Sequence, residues 1–243
     1  MTLLRYEDWT SPVPPVRREV LSAEAARDEL PPVLFVPGPA FGAWVFAEHW
    51  LSHTAGRGFP AHALSAREGG DLRAYAHDVV QTAAALPRQT VLVGHGVGAM
   101  IVARALGRYP ARAAVLVCPV LDRGAVIRTG LRVNPAGTLP AVFGGRFRLS
   151  GHQLGQAEYV EKLRPAGLPA LRNPPRPVGD PPVLVVGSPD DRVVPRTSLD
   201  RAAARYGGAP LLFPGMGHDL MVGPGWAEPI DAILDWLGKE LAA

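Results

Sequence analysis

The chain is nearly without cysteine. Cys118 is the only one among 243 residues, which excludes an internal disulfide and a cysteine-rich metal site. It is nearly without lysine as well: Lys162 and Lys239 are the two lysines among 25 basic residues, and the rest are arginine. With abundant Ala, Gly and Pro, that bias points to a GC-rich bacterial genome. A large excess of either charge is lacking too. The net charge is +3, and no basic run exceeds Arg17-Arg18. This argues against a nucleic-acid or membrane-surface partner. No apolar run reaches the ~18 residues of a membrane span. The first residues, MTLLRYEDWTSPVPP, contain no apolar core of a signal peptide. A reducing cytoplasm is therefore the expected compartment.

What is present is enough apolar material for one large domain over residues 1–243: hydrophobic residues make up 47% and charged residues 19%. Strand-length apolar runs recur at Val33–Val36, His62–Leu64, Thr90–Val93, Ala114–Val117, Val183–Val186 and Leu211–Phe213. Several are nearly continuous in Val and Leu, as strands buried on both faces of a parallel sheet are. Helical patterns fall at Leu72–Leu86, Val97–Tyr109, Ser198–Tyr206 and Trp226–Leu241. The alternation predicts a doubly wound, mostly parallel α/β sheet with helices on both faces. Val16–Leu21 is a candidate edge strand. Residues from about 121 to 180 break the rhythm. They are rich in Gly, Pro and Arg, only Gly155–Leu163 looks helical, and they are expected to form an inserted cap.

Four motifs carry chemistry. Gly94-His-Gly-Val-Gly98 has the frame of a strand-to-helix elbow, with flanking glycines for close packing and Gly96 at its centre. Pro32-Val-Leu-Phe-Val-Pro-Gly-Pro-Ala-Phe-Gly-Ala-Trp44 is a strand followed by a tight loop. Val183-Leu-Val-Val-Gly-Ser-Pro-Asp-Asp-Arg-Val-Val-Pro195 is a strand ending in acids. Gly215-Met-Gly-His-Asp-Leu-Met221 is a histidine loop after the last strand. In this order they resemble the α/β-hydrolase fold, closest to small bacterial esterase- and lysophospholipase-like members, from about Pro32 to the C-terminus.

The resemblance implies roles. His218 is the base and Asp191 the acid that orients it, with Asp190 or Asp122 as alternatives. The Val97 amide and an amide near Pro39 or Ala40 form the oxyanion hole, and Phe41 and His95 border the pocket. His95 packs behind the turn, and Trp44 and Phe46 are core residues or pocket walls. His152 and Tyr159 are cap candidates for an acid or hydrogen-bond donor. His49 and His53 have metal-ligand spacing but no companions, so no metal is expected, and no cofactor either. The expected assembly is a monomer or a homodimer.

This sequence departs from the family pattern twice. Glycine stands where the serine nucleophile belongs, and Pro39 has no N–H to donate. Glycine relieves elbow strain, and it leaves room for water or a substrate oxygen beside His218. The implied function is a cofactor-independent enzyme. Its His–Asp dyad serves elimination, cyclisation, C–C cleavage or water-activated hydrolysis of a small hydrophobic, natural-product-like substrate. The alternatives are a non-catalytic small-molecule binder and a serine esterase inactivated by Ser→Gly at position 96.

Overall fold

A computed structural model describes residues 10–26, 29–169 and 174–242. Its centre is a seven-stranded sheet in the order β1-β3-β2-β4-β5-β8-β9. The strands are β1 (Val20–Ala23), β2 (Val33–Val36), β3 (Ala61–Leu64), β4 (Val91–His95), β5 (Ala113–Val117), β8 (Val183–Gly187) and β9 (Leu211–Leu212). Only β1 runs antiparallel; every other pairing is parallel. The candidate edge strand therefore exists, starting four residues later than the pattern had placed it.

The period of two divides each central strand between two cores. Val33 and Phe35, Val91 and Val93, and Val115 and Val117 face one core with Phe46, Trp50, Ile233 and Leu237. Leu34, Val36, Leu92, Ala114 and Leu116 face the other, with Val79, Val80, Ile101 and Val102. Helices α1 (Trp44–Ala47), α2 (Trp50–Gly56) and α8 (Ala227–Ala242) supply the first core. Helices α3 (Leu72–Ala85), α4 (Val97–Ala105) and α7 (Arg196–Arg205) cover the opposite face. Trp50 is fully buried, and its indole N–H donates to the Trp226 carbonyl at 3.0 Å, which ties α2 to the start of α8.

The segment between β5 and β8 corrects the expectation of a helix only at Gly155–Leu163. It holds two α-helices, α5 (Arg123–Val133) and α6 (Pro135–Val142), and a two-stranded hairpin, β6 (Arg146–Phe147) with β7 (Ala166–Gly167). Residues 157–162 form a 3-10 turn. Both helices are started by a cap rather than by an apolar stripe. The Asp122 carboxylate accepts from the Ala125 N–H at 2.9 Å. The Asn134 side chain accepts from the Gly137 N–H at 3.1 Å, ahead of Pro135 at the first helical position. The Gly-, Pro- and Arg-rich composition hid the helices, and the two Asx residues at their starts were one signal of them.

Close approach of β4, α4 and the end of β2 depends on glycine. A Cβ on Gly94 would stand 2.6 Å from the Ala99 Cα. A Cβ on Gly98 would press into the Val36 carbonyl oxygen and stand 2.7 Å from the Pro37 carbonyl carbon. Those neighbours are backbone and cannot rotate away. Gly98→Ala should therefore lower stability by about 1–3 kcal/mol, the usual cost of overpacking, measured as a drop in the denaturant midpoint at unchanged slope.

Candidate active site

The C-terminal ends of the parallel strands converge on one point, where open α/β sheets place their ligands. β4 ends at His95, and the chain turns at Gly96 with φ 58° and ψ −118°. A side chain rarely tolerates that conformation. Two hydrogen bonds fix the turn: the Gly96 N–H donates to the Val117 carbonyl at 2.9 Å, and the Val120 N–H donates to the Gly96 carbonyl at 3.0 Å. Helix α4 begins at Val97. Its first amides have no partner within the helix, so the positive end of the helix faces the site.

His218 lies directly opposite. A Cβ built on Gly96 would stand 3.2 Å from its Nε2. Its other nitrogen, Nδ1, is 2.8 Å from the Asp191 Oδ2. The remaining oxygen of Asp191 accepts from the Val193 and Val194 N–H groups at 2.7 and 3.0 Å, which locks the carboxylate on the loop after β8. Asp190 points elsewhere and accepts from the Gly215 N–H at 2.7 Å, bracing the histidine loop. Asp122 caps α5 and pairs with Arg201 at 3.1 Å. Of the three acids considered, Asp191 is therefore the one in contact with the imidazole.

Burial works against the charge on both partners, and the pair overcomes it. Desolvation alone would push the Asp191 carboxyl up. The facing His218 and the hydrogen bonds from His218, Val193 and Val194 hold it below the ordinary 3.8. Desolvation alone would push His218 down. The charge and hydrogen bond of Asp191, with the charge of Asp219 added, hold it above the ordinary 6.5. The stability from Asp191 is thus complete above about pH 4 and is lost as pH falls through its folded pKa. That from His218 is complete below about pH 6.5 and fades as pH rises through its folded pKa.

Three buried residues stand beside the dyad: Cys118, Asp219 and His95. The Cys118 thiol, one Asp191 oxygen and one His218 nitrogen lie within 4.8 Å of one another. Burial, followed by the charge of Asp191, pushes this thiol well above its usual value, so it backs the dyad as a neutral group. Its backbone carries a positive φ of 44°. Its place at the end of β5 was the available signal. Asp219 follows His218 directly and is buried. Its carboxylate accepts from the Gly155 N–H and, at 3.1 Å, from the Gln156 N–H, tying the histidine loop to the cap segment. His95 is buried, and its Nε2 lies 2.9 Å from the His218 carbonyl. Desolvation and the nearby His218 push its pKa down to about 3. It is therefore a neutral donor that braces the base.

The cavity in front of His218 measures about 30 Å³ and is lined mainly by apolar groups. Gly96, Val97 and His218 line it, with Ala40 and Phe41 on one wall and Phe147, Leu149 and Leu168 from the cap. A water needs roughly 10–15 Å³ on this measure, so the space suits one or two. Pro39 has no N–H, and the Phe41 N–H is spent on the Gly38 carbonyl at 2.9 Å. The amides of Gly38 and Ala40, both of which line the cavity, are the loop's candidates to accompany Val97. His152 is exposed, and only its carbonyl is engaged, by Arg192 at 3.2 Å. Tyr159 stacks on Trp44 with centroids 5.6 Å apart. Neither lines the cavity. Phe46 belongs to the core. His49 stacks on Trp226 at 4.6 Å, and the His53 Nε2 lies 2.8 Å from Asp231; both rings pack α2 against the start of α8.

Comparison with known proteins identifies the family and the fold. The model of the alpha/beta hydrolase family matches residues 33–236, and the chain belongs to that family. No curated protein sequence matches it. Among solved structures it is similar to a monoacylglycerol lipase of Paleococcus ferrophilus, with TM-score 0.67, 15% identity, and 93% of this chain and 100% of the other covered. It is also similar to the esterase RhEst1 of Rhodococcus sp. ECU1013, with TM-score 0.64, 18% identity, and 90% and 94% covered. A soluble variant of monoglyceride lipase from Saccharomyces cerevisiae gives TM-score 0.66, 13% identity, and 94% and 96% covered. At these identities the likeness speaks for the fold. Among the described residues, no helix is long and apolar enough to cross a membrane.

Proposed function

We propose that this chain is a cofactor-independent enzyme in which His218, oriented by Asp191, acts as a general base without a covalent nucleophile. One observation carries the reading: the free Nε2 of His218 faces the empty side-chain position of Gly96 at 3.2 Å, while Nδ1 is held by a buried carboxylate. A structural histidine has no need of that arrangement; a base does.

The reaction that fits the space most simply is hydrolysis by activated water. A water in the slot beside Gly96 gives a proton to Nε2, and its oxygen bonds to the substrate carbonyl carbon. The carbonyl π electrons move to oxygen, where the Val97 amide and that of Gly38 or Ala40 donate to them. When the tetrahedral centre collapses, the bond to the leaving group breaks and that group takes the proton from His218. Elimination, ring closure and C–C cleavage use the same base, with the proton drawn from the substrate instead of water. The apolar lining matches a small hydrophobic substrate, which has to displace Phe147, Leu149 and Leu168 of the cap because the cavity as it stands holds roughly one or two waters; tailoring of a bacterial natural product is a fitting setting.

The pH profile tests the base. Only neutral imidazole accepts a proton, and Asp191 keeps His218 protonated above its ordinary 6.5. Against a panel of short- and medium-chain p-nitrophenyl esters, kcat/KM should rise with pH through an apparent pKa above 6.5. A detectable activity with a flat or falling profile would sink the role given to His218.

A further inference from the structure

A second and larger depression lies on the other side of the Pro39–Phe41 loop. It measures about 420 Å³, and four separate segments line it: residues 16–21, the loop 39–44, residues 65–68 after β3, and Lys162 with Arg164 of the cap. Ala40 and Phe41 belong both to this cleft and to the cavity in front of His218. The Arg164 N–H donates to the Ala40 carbonyl at 3.0 Å, so the cap is pinned along the partition between them.

The cleft is cationic. Arg17, Arg18, Arg67, Lys162 and Arg164 line it against Glu19 and Glu68, a surplus of three. Two carboxylates behind the wall reduce that to one. Glu48 lies 3.8 Å from Lys162, and the buried Asp78 faces two guanidinium groups at once. Arg67 binds Asp78 in bidentate fashion at 2.6 and 2.5 Å, whereas Arg18 reaches it only at 3.7 Å. The two acids of the cleft are already engaged. Glu19 accepts from the Ser65 hydroxyl at 2.5 Å, and Glu68 pairs with Arg164 at 3.0 Å. Arg18 is left half-satisfied, and among the described residues Arg17 has no ion pair or hydrogen bond. Beside them Trp44 is stacked on Tyr159, with the Lys162 ammonium 4.9 Å from both rings. One unbalanced positive charge next to an aromatic surface matches one kind of occupant: a single anionic group on an apolar body.

We infer that this cleft is a recognition site for the carboxylate or phosphate group of an amphiphilic substrate. Arg17 and Arg18 hold the anion, and the apolar part extends past Ala40 and Phe41 toward His218. The assignment of that ligand as substrate rests on the base reading given above; the anion site itself does not.

The test is a titration of the ¹⁵N-labelled chain with octanoate, inorganic phosphate and, as a neutral control, 1-octanol. Octanoate should shift the Ala40 and Gly42 amides and the Trp44 indole saturably, and the same concentration of 1-octanol should not. The double substitution Arg17→Glu, Arg18→Glu should weaken octanoate at least about tenfold, the scale of one lost charge-assisted pair. Saturable binding of phosphate alone, abolished by the same substitution, would assign the site to a phosphate group. Shifts that do not saturate, that octanol reproduces, or that survive the charge reversal would overturn the proposal. Both residues are exposed, and neither lines the cavity in front of His218. Placed in a Gly96→Ser background, the two substitutions should leave active-site labelling by a fluorophosphonate unchanged. In the Gly96→Ser chain with both arginines intact, labelling without any saturable anion binding refutes the cleft alone. Anion binding with no labelling in that background refutes the base instead.

Discussion

A Gly96→Ser variant should take up one fluorophosphonate per chain, while the protein with glycine at position 96 takes up none. The reason is positional. The Cβ of the new serine would stand 3.2 Å from the His218 Nε2 and 3.7 Å from its Cε1. Its hydroxyl would start within reach of a base already aligned by Asp191, with the unpaired amides at the start of α4 alongside. The imidazole must yield by a few tenths of an ångström, and a side chain at φ 58° adds strain of about 1–3 kcal/mol. The variant should therefore unfold at lower denaturant and still react. Intact mass reports the adduct, and circular dichroism reports the fold. A folded serine variant that stays unlabelled means that His218 is not a competent base in this setting, and a binding protein becomes the better description of the chain. Adding His218→Ala to the serine variant should slow labelling by roughly 10²–10⁴-fold, since the serine then has no partner to take its proton.

The same elbow shows how far a sequence can be read. Gly94, Gly96 and Gly98 are legible because a steric rule stands behind each. The strands on either side are legible because burial on both faces leaves unbroken Val and Leu. The pairing of His218 with Asp191 could be expected from the position of each residue after a strand, but the choice among Asp191, Asp190 and Asp122 needed coordinates. All three acids end strands or open loops, and only the turn made by the Val193 and Val194 amides aims one of them at the imidazole. The donor of the loop after β2 was open for a related reason: the hydrogen bond that removes Phe41 from consideration is a property of the turn. The cap was the least legible part. Helices α5 and α6 are rich in Arg, Gly and Pro and are begun by single capping side chains, so their composition resembles that of a loop. The role of Asp219 is not legible in the sequence because its partners, the Gly155 and Gln156 amides, are some sixty residues away in the chain.

Replacing His218 should separate the two kinds of protein that this pocket could be. In an enzyme working by proton transfer, His218→Ala removes the acceptor and leaves the apolar walls in place. The kcat on any ester the chain hydrolyses should fall by about 10²–10⁴-fold, with ligand affinity little changed. A binding protein has no rate to lose, and its affinity should respond to Phe147 or Leu168 rather than to the imidazole. Asp191→Asn sharpens the comparison. The amide can keep an oxygen toward the Val193 and Val194 N–H groups, so the loop keeps its shape. Its NH₂ then faces Nδ1, which must accept, and the ring proton is driven to Nε2, where a base needs a lone pair. A large loss of kcat in both variants, with substrate affinity retained, is the outcome expected of an oriented base. If Asp191→Asn lowers stability but leaves the rate intact, the carboxylate is a structural brace, and the chemistry depends on the position of His218 rather than on its tautomer.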